Sequence, residues 1–256
     1  DEFERAGCET RYVSRAHTGS SPVIVEIVDT VNGSHRFTST CPQTLVRFPK
    51  WRSIDHDHVC RAADTLKSVS VFYADRVSES IVIAMEEAKR AGALVFFEPA
   101  STDDEMFARA VRCATVIKLS DETAGKSIAD RNLDPEVIVI RTHGAFGLTV
   151  SNRSVHRHFP SSFAPRVIDT CGSGDMVTTG LLDLVLRRWY REGSWTVDDV
   201  FDGVEVGQRL AALNCGFTGA RGLFRAAGAN HVREMLDRGI DEASTSYVST
   251  LGTCNR

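Results

Sequence analysis

The stretch "VSVFYADRVSESIVIAMEEAKRAGALVFFEP", Val69 to Pro99, decides the fold. It opens on a short run of β-branched and aromatic residues and passes into a run with apolar residues at helical spacing. Gly92 is a stop signal, and a second apolar run follows. This predicts a strand, a helix and a second strand. The alternation continues with a helix near Asp103 to Val111, a strand "ATVIKLS", a helix near Glu122 to Arg131 and a strand "EVIVIRT". Repeated β/α alternation predicts a mostly parallel sheet with helices on both faces. Short strands near Leu148 to Val150 and Val155 to Phe159, a strand Val167 to Asp169, and helices from Gly174 and near Thr196 follow. Upstream, "SPVIVEIVD" and "SHRFTSTC" flank Asn32-Gly33, a strong hairpin signal, and predict a β ribbon.

Composition narrows the function classes. The chain of 256 residues is 42% hydrophobic and 25% charged, which excludes disorder and a collagen-like structure. A formal net charge of -4 provides no broad basic field for a nucleic-acid backbone, so no nucleic-acid partner is expected. Seven cysteines without CxxC spacing suit neither a disulfide framework nor a zinc site, and a cytoplasmic setting is expected. No apolar run approaches a membrane span, since Asp183 interrupts even Met176 to Leu186; no membrane partner is expected.

In sheets of this kind ligands sit outside the carboxyl ends of the strands. Glu98, Ser120, Thr142 and the turn at Gly172 all fall there, and their convergence would make one site. The turn belongs to "RVIDTCGSGDMVTTGLLDLVLRRW", Arg166 to Trp189. Gly172, Ser173 and Gly174 open a helix there, and Asp175 lies in its first turn. Unpaired amides and the helix dipole make an anion pocket of such a turn. Asp175 could accept the proton of a substrate hydroxyl while the amides hold a phosphoryl group. The same residues read equally well as a helix cap on a tight turn.

Other motifs are weaker. "SDETAGKS", Ser120 to Ser127, matches the P-loop pattern except at its first glycine; Asp121 and Glu122 place negative charge where a phosphate cradle needs bare amides. "DHDH", Asp55 to His58, and "HRH", His156 to His158, lack a complete metal-ligand spacing and read as a polar helix start and an exposed strand face. "THGAFG", Thr142 to Gly147, allows close backbone approach to a nucleotide or makes a hairpin turn. "AALNCGFTGARG", Ala211 to Gly222, could flank a flat base or simply pack tightly.

In order along the chain, these segments resemble the ribokinase-like, or PfkB, family of carbohydrate kinases. "DTCGSGD" is similar to the family signature DTxGAGD, with Ser173 for the usual alanine. "THGAFG" resembles the TLGxxG nucleotide loop, "AALNCGFTGARG" the late segment near the adenine, "FFEPA" the DPN or NPA strand end, and "KLSDE" the region of the NxxE motif. That motif's asparagine falls on Ser120 and its glutamate on Thr123. "DEFERAGCETRYVSR" looks like a segment that normally lies well inside the chain, so an N-terminally incomplete domain is expected over residues 1–256.

The resemblance implies a three-layer α/β/α fold with a mostly parallel central sheet and a small β lid over residues 18–41. It implies transfer of the γ-phosphoryl of ATP to a hydroxyl of a sugar or sugar-like molecule. The alternatives are a nucleoside kinase of the same family or a non-catalytic sugar- or nucleotide-binding protein. Asp175 would be the base, with Gly172, Ser173 and Gly174 forming the anion hole. Ser120, Thr142, Gly144, Gly147, Gln208, Asn214 and Gly219 would line ATP. Mg²⁺ is implied, with Glu98 or Glu122 replacing the NxxE pair, and K⁺ beside Asp169 and Cys171. Lids of this family often pair, so a homodimer through the lid is a further expectation.

Overall fold

The structure is a computed structural model and describes residues 2–14, 22–28, 35–101, 106–121 and 133–240. The chain begins with a short helix α1 (Glu2–Arg5), the ribbon strands β1 (Val25–Val28) and β2 (His35–Thr38), and two short helices, α2 (His56–Arg61) and α3 (Ala63–Leu66). The main layer follows as β3 (Val71–Ala74), α4 (Glu79–Arg90), β4 (Leu94–Phe97), α5 (Phe107–Cys113), β5 (Val116–Ser120) and β6 (Ile138–Thr142). Then come β7 (Leu148–Ser151), β8 (His156–Phe159) and the helices α6 (Ser173–Glu192), α7 (Val197–Asn214), α8 (Gly222–Ala227) and α9 (Ala229–Arg238).

The six strands of the main sheet stand in sequence order, β3 to β6 parallel and β6 to β8 antiparallel. All four residues of β4 are buried because both faces are covered. Side chains alternate across a strand. Leu94 and Phe96 accordingly join the core beneath α6 and α7, while Val95 and Phe97 join the core beneath α4 and α5. The result is the expected three-layer α/β/α arrangement, with the antiparallel ribbon β1–β2 as a separate small sheet. The ribbon's expected turn at Asn32-Gly33 and the expected helix Glu122 to Arg131 lie outside the described residues.

Local chemistry sets the helix ends. Ser78 caps α4 by accepting from the Ile81 amide at 3.3 Å, and Asp55 caps α2 by accepting from His58 at 2.8 Å, so "DHDH" is a polar helix start. Thr196 and Asp199 close a reciprocal capping box on α7. Arg109 grips Glu86 with two hydrogen bonds of 3.0 Å, tying α5 to α4.

Two helices meet through glycines. A β carbon on Gly180 of α6 would stand 2.5 Å from the Gly207 Cα of α7, and one on Gly203 would stand 2.8 Å from Leu181 Cδ1. Their absence allows the two longest helices to cross at backbone distance, which fixes the height of α6 above the sheet.

One expected strand is absent. Val167 to Asp169 form no ladder; the amides of Ile168 and Asp169 both donate to the Cys215 carbonyl just past α7, at 2.7 and 3.2 Å. The apolar pattern that suggested a strand leaves Val167 65% exposed. A helix end, with its orphan carbonyls, took the backbone donors that a neighbouring strand would otherwise have received.

Candidate active site

The carboxyl ends of β3, β4, β5 and β6 and the start of α6 surround a cavity of roughly 270 Å³. Of the residues picked from sequence, Glu98, Ser120, Thr142, Gly174 and Asp175 line it together. The cavity also brings in Tyr73, Asp75, Arg76 and Lys118, which the sequence analysis did not single out. Lys118 carried a readable signal: it is the one charge inside the otherwise apolar "ATVIKLS", and it is only 2% exposed.

Asp175 sits in the first turn of α6, with its tip open to solvent. The protein around the cavity still thins its hydration, and this pushes the carboxyl above the ordinary aspartate range; Glu98 and Asp75 repel the charge further and Lys118 opposes them. The sign for stability follows. Because the folded pKa is raised, the ionised group costs stability at pH above that pKa, and the cost fades as pH falls through the unfolded value of about 3.9. Asp175→Asn is expected to melt higher than wild type at pH 7, by a margin that shrinks toward pH 4. Thermal melts across that range would show it, and a constant or reversed margin would contradict the assignment.

The turn before α6 is fastened from outside. Asp169 accepts from the Cys171 amide at 2.9 Å and from the Gly219 amide at 2.7 Å. Asn214 donates to the Cys171 carbonyl at 3.3 Å and accepts from the Leu223 amide at 3.0 Å. Gly172 has a φ of 77°, and a β carbon there would meet the Ala220 Cα at 2.5 Å, so glycine is required twice over. The Ser173 amide and hydroxyl both turn back to the Thr170 carbonyl, at 3.1 and 2.7 Å. The first helical bond runs from the Met176 amide to the Gly172 carbonyl. The amides of Gly174 and Asp175 precede it at the open helix end, where an anion would be held.

Several ligand assignments change in character. Asn214 is fully buried and both ends of its amide are bonded within the fold, to the Cys171 carbonyl and the Leu223 amide. Gln208 is likewise buried on α7, at 7% exposure. Gly219 supplies its amide to Asp169. Gly144 and Gly147 bound a short 3₁₀ turn between β6 and β7, which is the hairpin that "THGAFG" allowed. They differ sharply. A β carbon on Gly144 meets nothing within 4 Å, whereas one on Gly147 would run into the backbone of Phe159 to Ser161.

The implied metal ions find no protein cage among the described residues, where no three His, Cys, Asp or Glu side chains are grouped to hold one. Both Asp169 oxygens take backbone amides. Glu98 is occupied by Lys118 on one oxygen and by Thr178 and Tyr73 on the other, the latter two at 2.8 and 3.4 Å. Burial first, then Glu26 of the ribbon and the carboxylates of Asp169 and Asp175, pushes the Cys171 thiol up to about 12, so it stays protonated at neutral pH. Glu122 lies outside the described residues. "HRH" lies on an exposed stretch of β8.

The arrangement is a carboxylate beside open amides at the mouth of a parallel sheet. Comparison by sequence with curated proteins finds no match. Among solved structures the chain is similar to Burkholderia thailandensis nucleoside kinase in complex with inosine, at 18% identity and a TM-score of 0.65, over 94% of this chain and 75% of that one. It is also similar to ribokinase from Giardia lamblia, at 13% identity and a TM-score of 0.59, over 76% of this chain and 66% of that one. Arabidopsis thaliana ribokinase complexed with ribose and ATP matches at 13% identity and a TM-score of 0.55, over 88% and 68%. These likenesses concern the fold. A family model described as pfkB family carbohydrate kinase matches residues 1–225, more than half of the chain, and the protein therefore belongs to that family.

Proposed function

We propose that the protein is an ATP-dependent kinase whose acceptor is a hydroxyl of a nucleoside or of a closely related riboside. The observation that carries the phosphotransfer is Asp175, solvent-reachable at the open end of α6 and on the cavity wall. A substrate hydroxyl beside it gives up its proton to the carboxylate as its oxygen bonds to the γ-phosphorus. The bond to the β–γ bridging oxygen breaks, and ADP leaves with the electron pair. The raised pKa of Asp175 makes it a better proton acceptor than an ordinary aspartate. The Gly174 and Asp175 amides face the charge on the phosphoryl oxygens. Magnesium is commonly held by substrate phosphates with few protein ligands. The committed carboxylates here accord with its arriving on ATP.

The nucleoside acceptor is supported by the likeness to the Burkholderia enzyme, which extends over 94% of this chain at a TM-score of 0.65. The ribokinases give lower scores over less of it. The decisive experiment is ATP consumption over a panel of nucleosides and sugars with Mg²⁺, with and without K⁺. Turnover triggered by a nucleoside and not by ribose supports the reading. Turnover with sugars alone replaces the acceptor, and ATP binding without turnover on any acceptor replaces catalysis with binding.

The two turn glycines give a separable prediction. Gly144→Leu is expected to raise KM for ATP by about tenfold and to lower Tm less than Gly147→Leu does, since the space at Gly144 is open although its φ of 56° brings some strain. Gly147→Leu is expected to lower Tm, because its side chain has only backbone to displace. Equal effects of the two on KM and Tm would remove Gly144 from the nucleotide path.

A further inference from the structure

Lysine is almost never fully buried unless paired, and a buried pair adds little stability over apolar residues of the same volume. Lys118 nevertheless interrupts β5, the buried strand Val116–Ser120, and points toward α6, on the same strand face as Val116. Its ammonium pairs with Glu98. The second oxygen of Glu98 accepts from Thr178 Oγ1 at 2.8 Å, and Thr178 lies about one turn beyond Asp175 on α6. The same oxygen accepts from the Tyr73 hydroxyl at 3.4 Å. A β carbon on Gly174 would stand 3.4 Å from Lys118 Nζ, so the ammonium lies against the first turn of α6. Lys118, Glu98, Gly174 and Asp175 all line the same cavity.

We propose that Lys118 is the side chain that meets the transferring phosphoryl group in this cavity, and that Glu98 is the positioning residue that aims it there. The inference rests on the kinase reading above and deepens it. An ammonium has three donors, and the pairing with Glu98 leaves donors for a further anion. A phosphoryl group in transit spreads negative charge over three oxygens, and a cation fixed in advance in a water-poor site meets that charge without reorganising. Thr178 fastens Glu98 to the helix that carries Asp175, so base and cation keep one spacing. Glu98 thereby holds the lysine and not a metal.

The test compares wild type, Glu98→Gln, and the double variant Lys118→Met with Glu98→Gln, which removes both charges and leaves neither buried alone. Steady-state kinetics, thermal melting, and calorimetric binding of ADP and of a non-hydrolysable ATP analogue are measured on each. The double variant is expected to stay folded and bind ADP as wild type does. It should lose about 10²–10³-fold in kcat and lose affinity for the triphosphate analogue. Glu98→Gln alone should lower kcat with little change in KM for ATP, a split that a merely structural residue would not give. A folded double variant that turns over at the wild-type rate overturns the proposal. If wild type turns over no acceptor at all, the kinase reading fails on its own. The binding arm then still decides on Lys118: an unchanged preference for the triphosphate over ADP in the double variant rejects it, and a lost preference retains it.

Discussion

Asp175→Asn is expected to lower kcat by about 10²–10⁴-fold, the usual contribution of a positioned general base. Its KM for ATP should remain within about threefold of wild type, because the exchange removes a proton acceptor and leaves the amides of α6 in place. Asparagine has nearly the shape of aspartate, and it cannot take the hydroxyl proton at neutral pH. Steady-state rates with the acceptor found in the panel assay, beside calorimetric ATP binding, give both numbers. A variant with near-normal turnover would move the base elsewhere. The other carboxylate on this wall with an oxygen to spare is Asp75, which is exposed and, among the described residues, is ion-paired with the neighbouring Arg76 alone, at 3.4 Å. Asp75→Asn would then be the variant to make.

The second large effect is expected far from the cavity. Gly180→Leu places a side chain where a single β carbon already lies 2.5 Å from the Gly207 Cα. Two helix backbones must part to admit it, at about 1–3 kcal/mol or more for overpacking. Because α6 carries Asp175 and Thr178, that displacement also misplaces the base relative to Lys118 and Glu98 on the sheet. Thermal melting and kcat should therefore fall together, with KM for ATP less affected. Gly193→Leu on the same helix is the control: a β carbon there meets nothing within 4 Å, although its φ of 76° brings some strain. If Gly180→Leu melts like wild type, the close crossing does not set the height of α6.

What the sequence made legible was whatever repeats. The β/α alternation from Val69 to Thr142 carries its period in every segment, so layer order and the parallel sheet follow from local pattern alone. The C-terminal strand ends follow from topology, which is why Glu98, Ser120, Thr142 and Asp175 could be expected at one place. Other features needed contacts between residues far apart in the chain. Val167 to Asp169 have strand-like composition, and only the position of Cys215 explains why they pair elsewhere. Asn214 has the chemistry to read a base, and only its complete burial shows that it serves the turn at Cys171. Lys118 stands out as the one charge of its strand, but in a strand buried on both faces no polar alternation shows that it faces a cavity.

The fastening of the Cys171–Gly172 turn has a consequence for how the protein binds. With Asp169 and Asn214 each bonded both to the turn and to the segment around Gly219 to Leu223, the anion-holding end of α6 and the wall beside it form one rigid piece. The entropy of arranging those amides is settled when the chain folds, so an incoming phosphate finds them already aimed. Glu26 of the ribbon lies close enough to the turn to help raise the pKa of the Cys171 thiol.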